Sequence, residues 1–289
     1  MRALVLGTTG QLATELQRRP RAAELELLSP RQVDITDADA LGAWLDAARP
    51  QIILNAAAYT AVDRAETEPE RAFAVNGAGP ATVADWCARH GAALVHVSTD
   101  YVFDGQKRGA YMEADETAPL GVYGASKLAG EHNVRARLEQ HVILRTSWVF
   151  SAHGHNFAKT ILRLASERDE LRIVADQHGQ PTAAADLADA VLLVAARIAG
   201  STPRWGTFHF AGRDDTTWHG FAQAIVDEQA PFTGKAPRVV PITTEQYPTP
   251  ARRPASSVLA TSSFEQAFGC RPRPWRDGLR EVVRELVAR

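Results

Sequence analysis

The chain opens with the stretch that decides its fold, Ala3-Leu4-Val5-Leu6-Gly7-Thr8-Thr9-Gly10-Gln11-Leu12-Ala13. Its four apolar residues predict a strand, and the residues after Gly10 predict a helix. Glycines at such a turn let the backbone approach a pyrophosphate, which the free N–H groups and the dipole of the helix attract. The spacing G-x-x-G-x-x-A differs from the G-x-G-x-x-G of many dehydrogenases, although Ala13 still permits close helix–strand packing. We therefore predict a dinucleotide-binding turn, with a tight turn that binds no ligand as the alternative.

The alternation of apolar runs and helical segments continues along the chain. Strands are predicted at residues 3–6, 25–28, 52–55, 93–98 and 142–145, and helices at 72–89 and 126–138. This βαβ rhythm is typical of a parallel sheet covered on both faces. The predicted fold class is α/β, with a Rossmann-type doubly wound parallel sheet.

The pattern loosens after residue 150. Residues 156–168 and 183–199 predict helices, 206–210 predict another strand, and the Pro-rich segment 231–254 predicts irregular structure. We predict a dinucleotide-binding domain over residues 1–150, rejoined by about 183–212. Residues 151–182 and 213–289 are predicted to form a smaller C-terminal α/β lobe that binds the substrate.

Composition narrows the function classes. The 289 residues are 45% hydrophobic, enough for a substantial core, and the net charge of -2 lacks the basic surface typical of nucleic-acid binding. Cys87 and Cys270 have no metal-ligand spacing, so we interpret them as reduced thiols of a cytoplasmic protein. The first apolar run is too short for a signal peptide, and no segment approaches the ~20 apolar residues of a membrane span. We expect a small soluble ligand, no export and no membrane insertion.

Tyr123 and Lys127 form the most informative pair in the chain. A phenol and an ammonium four residues apart share one face of a helix and can act on the same bound molecule. We expect the lysine charge to lower the pKa of the tyrosine toward neutral pH, which makes the pair a proton-transfer device. The alternative is an exposed helical pair without function.

Two other segments follow predicted strands, where a parallel sheet presents ligand-binding groups. Thr99 ends the strand at 93–98, and its hydroxyl could hydrogen-bond a substrate carbonyl oxygen as charge develops during reduction. Residues 55–60, which follow the strand at 52–55, are mostly small and would let a nicotinamide ribose lie close to the backbone. The alternatives are a structural threonine and plain helix–sheet packing.

The residues after the second strand bear on which dinucleotide binds. An NAD site commonly has an acid there, but Leu28 is followed by Ser29-Pro30-Arg31. The nearest carboxylate, Asp34, is predicted to lie at a later strand end, near an adenine ring. This favours NADPH, with NADH as the alternative, and Arg31 could equally be a solvated loop cation.

These motifs together resemble the extended short-chain dehydrogenase/reductases, and within them the family of dTDP-4-dehydrorhamnose reductases. The segments that carry the resemblance extend from residue 1 to beyond 250. They are Gly7-x-x-Gly10-x-x-Ala13, Asn55-Ala-Ala-Ala, Ser98-Thr-Asp-Tyr-Val-Phe103, Tyr123-Gly-x-Ser-Lys127, Thr60-Ala-Val-Asp-Arg-Ala-Glu66, Arg145-Thr-Ser-Trp-Val-Phe150, Asn156-Phe-Ala-Lys-Thr160, Asp176-Gln-x-Gly-x-Pro-Thr182 and Tyr247-Pro-Thr-Pro-Ala-Arg-Arg-Pro254.

The resemblance implies roles for these residues in reducing the C4 ketone of a dTDP-sugar. Tyr123 would protonate the C4 oxygen while NADPH delivers hydride, Lys127 would lower the pKa of Tyr123 and bind the nicotinamide ribose, and Thr99 would hold the same oxygen. Thr99, Asp100 and Trp148 match the family's substrate positions, although Trp148 could also be a core aromatic. The implied cofactor contacts are Gly7, Gly10, Gln11, Leu12, Ser29, Arg31, Asp34, Ile35, Ala58, Tyr59, Thr60, Val97, Tyr123 and Lys127.

The family pattern leaves metal binding and assembly open. Some members bind Mg²⁺ at a dimer contact through glutamates, the first of which matches Glu15. The second position is Ala185, so we predict no metal site and leave the protein as a monomer or a homodimer. The nine histidines show no ligand spacing.

Two other functions stay open at this point. A sugar-nucleotide epimerase or dehydratase on the same scaffold would keep NAD bound and return the hydride. A non-catalytic subunit would bind NADP and regulate a partner enzyme, although Thr99, Tyr123 and Lys127 are all present here.

Overall fold

The structure, a computed structural model, describes residues 1–19, 25–28, 33–200 and 203–287. Ser29 and Arg31, two of the predicted cofactor contacts, lie outside the described residues, so their roles stay predictions. Among the helices in these ranges, none has the length and apolar character needed to cross a membrane.

The described chain alternates strands and helices over most of its length. The strands are β1 (Arg2–Leu6), β2 (Glu26–Leu28), β3 (Ile52–Asn55), β4 (Ala93–Thr99), β5 (His141–Thr146), β6 (Val149–Phe150), β7 (Glu170–Val174), β8 (His178–Gly179), β9 (Thr182–Ala183), β10 (Gly206–His209), β11 (Thr216–Thr217) and β12 (Arg238–Ile242). The helices are α1 (Gln11–Arg18), α2 (Ala38–Ala48), α3 (Val62–Ala65), α4 (Pro69–Phe73), α5 (Gly79–His90), α6 (Val122–Arg137), α7 (Phe157–Glu167), α8 (Ala184–Ala199), α9 (Trp218–Thr233), α10 (Ser262–Phe268) and α11 (Trp275–Val287). A π-helical turn, Ala74–Ala78, joins α4 to α5.

Six strands form one parallel sheet in the order β10-β5-β4-β3-β1-β2. The predicted Rossmann-type α/β fold is therefore confirmed. From β1 the chain continues to β2 on one side and then to β3 on the other side of β1. A switch point of this kind opens a crevice at the carboxyl ends of the strands, here between β1 and β3. Both the Gly7–Gly10 turn and the segment after Asn55 begin there.

Both faces of the sheet are buried, which explains the continuous apolar runs of its strands. Ala3 and Val5 of β1 face a core cluster that includes Leu16 of α1 and Val191 of α8. Leu4 and Leu6 face the opposite cluster, which α2, α5 and α6 cover.

The C-terminal part has its own core, formed mainly by α7, α9 and α11 around Phe221 and Trp275. The prediction of irregular structure over 231–254 is wrong in its first half, because α9 continues to Thr233 and β12 pairs in parallel with β7. Pro241 lies within β12 and has no N–H to donate. This is tolerated because β12 belongs to a two-stranded sheet, so it is an edge strand.

Helix α6 packs very closely on the π-helical turn at Gly130. A Cβ built at Gly130 would overlap the carbonyl oxygen of Asn76. Since backbone cannot yield as a flexible side chain can, a larger residue at this position must push α6 away from the turn. The distance between α6 and this turn therefore depends on a glycine.

We expect Gly130→Ala to lower the free energy of unfolding by about 1–3 kcal/mol through this overlap. The matched control is Gly42→Ala in α2, where a Cβ meets nothing within 4 Å. That change should stabilise the protein by up to ~1 kcal/mol, because alanine has the higher helix propensity. Urea denaturation of both variants measures the difference, and equal stabilisation of the two would contradict the close contact.

Candidate active site

Tyr123 and Lys127 lie one turn apart at the start of α6, which brings them to the carboxyl end of β4. The helix begins at Val122, whose N–H donates to Glu66 Oε1 at 2.8 Å. Lys127 is 2% exposed and its Nζ donates to the carbonyl oxygen of Val97 at 2.7 Å. This hydrogen bond ties the predicted proton-transfer pair to the strand that carries Thr99.

Thr99 is the last residue of β4 and lies beside Tyr123. Its hydroxyl donates to Asp100 Oδ1 at 3.0 Å and accepts from the backbone N–H of Tyr101 at 3.2 Å. The ring of Tyr101 meets that of Tyr123 edge-on at a centroid distance of 5.8 Å. Thr99, Asp100 and Tyr123 therefore lie together at the carboxyl end of β4, the strand that Lys127 also contacts.

Burial disfavours the charged forms of Tyr123 and Lys127. It raises the pKa of Tyr123 to about 12, with the charge of Asp100 adding to the shift and the Thr99 hydroxyl opposing it. It also lowers the pKa of Lys127 to about 8. The pKa of Tyr123 thus moves in the direction opposite to the one expected from the lysine charge, because burial is the largest cause of its shift. Tyr123 consequently keeps its proton at neutral pH and is suited to act as an acid.

Asp100 is a buried carboxyl whose pKa burial raises to about 7. Its Oδ1 accepts a hydrogen bond from Thr99, whereas Oδ2 has no hydrogen-bond partner of good geometry. The hydroxyl of Ser257 lies nearby and opposes the rise in the pKa of Asp100. Near neutral pH this group can donate or accept a hydrogen bond.

The segment after β3 is held by two buried asparagines. Asn76, in the π-helical turn, accepts from the N–H of Tyr59 at 2.8 Å and donates to the Tyr59 carbonyl and to Ser126, both at 3.0 Å. Asn55 Oδ1 accepts from the N–H of Ala57 at 3.1 Å. Sequence reasoning missed Asn76, since π-helical turns have no sequence signal that we could use, although such turns are frequent at functional sites.

The predicted dinucleotide-binding turn has the backbone that a phosphate requires. Gly7 has φ +98°, and a Cβ there would lie 3.2 Å from the N of Ala57, so the turn approaches the segment after β3 closely. The N-terminus of α1 has no side-chain cap, which leaves N–H groups free for an anion. Leu12 is buried in the core, so only its backbone can contact a ligand.

Gln11 joins this turn to the segment after β6. Its Oε1 accepts from Ser151 Oγ at 2.9 Å and from Asn156 Nδ2 at 3.0 Å, and its Nε2 donates to the Val149 carbonyl at 3.3 Å. Because these bonds occupy the side chain, a predicted cofactor contact at Gln11 falls to its backbone.

Asp34 and Ile35 lie near the N-terminus of α5. Contrary to prediction, Asp34 is at no strand end but in the loop before α2, where Thr36 donates to it through N–H and hydroxyl at 2.9 and 2.8 Å. These bonds hold the pKa of Asp34 below its usual value. Ile35 is buried against Gly79, where a Cβ would lie 2.8 Å from its Cγ1.

Trp148 has a strained backbone, with φ +46°. Its ring stacks on Trp218 with centroids 3.5 Å apart and planes 7° apart, and both side chains are partly exposed. A Cβ at Gly179 would overlap this indole, so the glycine makes room for it. A bulky residue with positive φ is uncommon and is often held in place at a functional site. Sequence reasoning missed Trp218, because it is 70 positions from Trp148 in the chain.

We expect Gly179→Ala to displace the Trp148 ring, because the new methyl group takes its space. The change should abolish the near-ultraviolet circular dichroism of the stacked pair and destabilise the fold by about 1–3 kcal/mol. Trp218→Phe, which removes the stacking partner but keeps the space, is the matched control for the spectrum. An unchanged spectrum in Gly179→Ala would contradict the packing.

A cleft beside Tyr123 is lined by α3, the segment before α6 and residues 251–254. Arg253 binds Asp63 through two hydrogen bonds of 2.9 Å, and Asp63 also accepts from the N–H of Ala251 at 3.2 Å. The neighbouring Arg252 is exposed, lines the cleft and has no ion-pair partner within the part of the chain that the structure describes. The lining of the cleft thus includes both this cation and Tyr123.

Glu15, the residue that matches a metal ligand of some relatives, lies near a histidine and an arginine instead. Its carboxylate is 3.4 Å from His153 Nε2 and 3.9 Å from Arg18. Ala185 lies in the first turn of α8. In the described ranges, no group of three or more His, Cys, Asp or Glu side chains is placed to hold a metal ion.

Comparison with known proteins agrees with this geometry. The family model "RmlD substrate binding domain" matches residues 1–288. A dTDP-4-dehydrorhamnose reductase of Aggregatibacter actinomycetemcomitans is 43% identical over 287 residues, 97% of this chain and 98% of the relative. The chain belongs to the dTDP-4-dehydrorhamnose reductase family. The resemblance found in the sequence is therefore confirmed.

Solved structures of this family have the same fold. A dTDP-4-dehydrorhamnose reductase of Clostridium acetobutylicum aligns with a TM-score of 0.91 at 36% identity, covering 99% of both chains. The reductase of Bacillus anthracis, solved in complex with NADP, aligns with a TM-score of 0.88 at 34% identity over 98% of this chain and 99% of the other.

Proposed function

We propose that this protein reduces the C4 ketone of dTDP-4-dehydrorhamnose to dTDP-L-rhamnose with NADPH, the last step of dTDP-rhamnose synthesis. The observation that carries the proposal is the meeting of Thr99, Tyr123 and Lys127 at the carboxyl end of β4 in a chain of this family. Two hydroxyl groups beside a buried ammonium suit a carbonyl oxygen that gains negative charge.

The backbone at the switch point fits a dinucleotide. Gly7 and the uncapped start of α1 suit the pyrophosphate, and the backbone of residues 58–60, fixed by Asn76, suits the nicotinamide half. The NADP complex of the Bacillus anthracis relative supports NADPH as the cofactor. Ser29 and Arg31 would decide the preference over NADH.

Proton transfer in this site follows from the two pKa shifts. When bound, NADPH supplies a hydride to C4. The Thr99 and Tyr123 hydroxyls would donate hydrogen bonds to the C4 oxygen, and Tyr123 would then give its proton to the alkoxide, which is the stronger base. The ammonium of Lys127 would stabilise the phenolate left behind. One hydride and one proton convert the ketone to the alcohol.

The substrate's other groups have suitable neighbours around the cleft. Arg252 would bind the diphosphate, because it is a cation in the lining of the cleft and has no ion-pair partner among the described residues. The stacked Trp148 and Trp218 offer an apolar face for the sugar or the base, and Asp100 can bond a sugar hydroxyl.

The deciding experiment incubates the protein with dTDP-4-dehydrorhamnose and NADPH, and follows the cofactor's absorbance. We expect one NADPH to be oxidised for each sugar reduced, and a parallel assay with NADH to run more slowly. An epimerase or dehydratase would change the sugar without net oxidation, and a regulatory subunit would bind NADPH and turn nothing over. Either result would overturn the proposal.

Tyr123→Phe should lower kcat by about 10²-fold or more, because the variant lacks the proton donor. NADPH binding, measured by the fluorescence of the bound cofactor, should be largely unchanged. The control is Tyr111→Phe, which removes a hydroxyl bonded to Asp104, neither residue lining the cleft, and should leave kcat unaltered. Near-normal turnover in Tyr123→Phe would reject the assigned role.

A further inference from the structure

A buried ion pair lies directly behind the candidate catalytic residues. Glu131 is on α6, one turn beyond Lys127, and Arg145 is on β5; they are 0% and 2% exposed. Arg145 Nε donates to Glu131 Oε1 at 2.9 Å and Nη2 donates to Oε2 at 2.7 Å. This bidentate geometry fixes the carboxylate in one orientation.

Two further donors complete the shell of the Glu131 carboxylate. The Ser98 hydroxyl donates to Oε1 at 2.6 Å, and Arg135, one turn later on α6, donates to Oε2 at 3.1 Å. Ser98 stands between Val97, whose carbonyl accepts from Lys127, and Thr99. The carboxylate thus joins α6 to β4 at the residues that face the reaction centre.

Stabilisation of the fold alone is a weak explanation for the buried Glu131–Arg145 ion pair. Well-packed apolar residues of similar volume are often as stabilising as a buried ion pair, because the desolvation of both charges offsets their attraction. The apolar clusters on either side of the sheet show that apolar residues are abundant in this fold. The position of the pair next to Lys127 offers a functional reason.

The ionisable groups around Lys127 have unequal effects on its charge. They are Tyr123 and Glu131 on α6, His96 on β4, Asp100 directly after β4, and Arg145 on β5. His96 is kept neutral by burial, and Tyr123 keeps its proton. Burial of Lys127 disfavours the ammonium form, and of these groups it is Glu131 whose charge favours it.

We propose that Glu131, held in place by Arg145, is a positioning residue that keeps Lys127 charged and fixes α6 relative to Thr99. The inference rests on the role proposed for Lys127. Arg145 has a supporting function, because its two hydrogen bonds hold the Glu131 carboxylate in one orientation. The spacing Tyr123-x-x-x-Lys127-x-x-x-Glu131 places all three on one helix face and is visible in the sequence.

The test is the pH dependence of kcat in Glu131→Gln. Activity requires the Lys127 ammonium, so it is lost as the pH rises through the pKa of Lys127, about 8. Removing the neighbouring anion lowers that pKa further, and the alkaline limb should move to lower pH by about one unit, roughly a tenfold loss of turnover on that limb. At low pH the variant should approach the wild-type kcat.

Two more variants separate charge from fold. Glu131→Gln leaves Arg145 buried and unpaired, so a double variant, Glu131→Gln with Arg145→Gln, restores neutrality. Its alkaline limb should lie between those of the wild type and the single variant, because the double variant lacks both the anion that favours the Lys127 ammonium and the cation that disfavours it. Asp186→Asn removes the charge of an α8 carboxylate that binds the more exposed Arg273, and it should leave the pH profile of kcat unchanged.

The readings distinguish this inference from the proposed function. If the wild type shows no turnover, only the proposed function is contradicted. The effect of Glu131 on the charge of Lys127 can then be tested without the sugar nucleotide, through the pH dependence of NADPH binding measured by fluorescence. An alkaline limb at the wild-type pH in both Glu131 variants, with lower thermal stability only, would assign the pair a purely structural role. If Asp186→Asn moved the alkaline limb as far as Glu131→Gln does, the proposal would also be overturned.

Discussion

The hydrogen bond from Lys127 Nζ to the Val97 carbonyl is the contact on which the rest of the site depends. It requires α6 to lie closely over β4, and the helix has glycines where this approach leaves no room. A Cβ at Gly124 would overlap the Tyr101 carbonyl, and one at Gly130 would overlap that of Asn76. Glycine normally weakens a helix interior, so its presence twice in α6 reflects packing.

The same close packing determines the chemistry of the site. Removing water favours the uncharged forms of Tyr123 and Lys127, and this benefits the two residues differently. A tyrosine with a raised pKa keeps the proton that it is to donate, whereas a lysine with a lowered pKa is deprotonated at a lower pH and then loses its charge. A site of this kind needs a fixed anion near the lysine, and Glu131 lies one turn away.

Much of this arrangement could be predicted from the sequence, because parallel strands bring their carboxyl ends to one edge. The positions of Thr99 and Asn55 at strand ends and of Tyr123 and Lys127 on one helix depend only on local patterns. The direction of the Tyr123 pKa shift could not be predicted, since it depends on burial by distant parts of the chain. The same holds for the pairing of β12 with β7, which no local propensity of a Pro-rich segment indicates.

The contact between Asp63 and Arg253 shows how long-range pairing completes the cleft. These residues are 190 positions apart, and their bidentate bond attaches the C-terminal segment to α3. Further bonds from Arg253 to Thr249 Oγ1 at 2.7 Å and to the Ala251 carbonyl at 2.9 Å fix the local backbone. The anchored Arg253 thereby places its neighbour Arg252 at the cleft. Two adjacent arginines thus differ, because one is neutralised by a carboxylate whereas the other, proposed to bind the diphosphate, has no ion-pair partner in the described part of the chain.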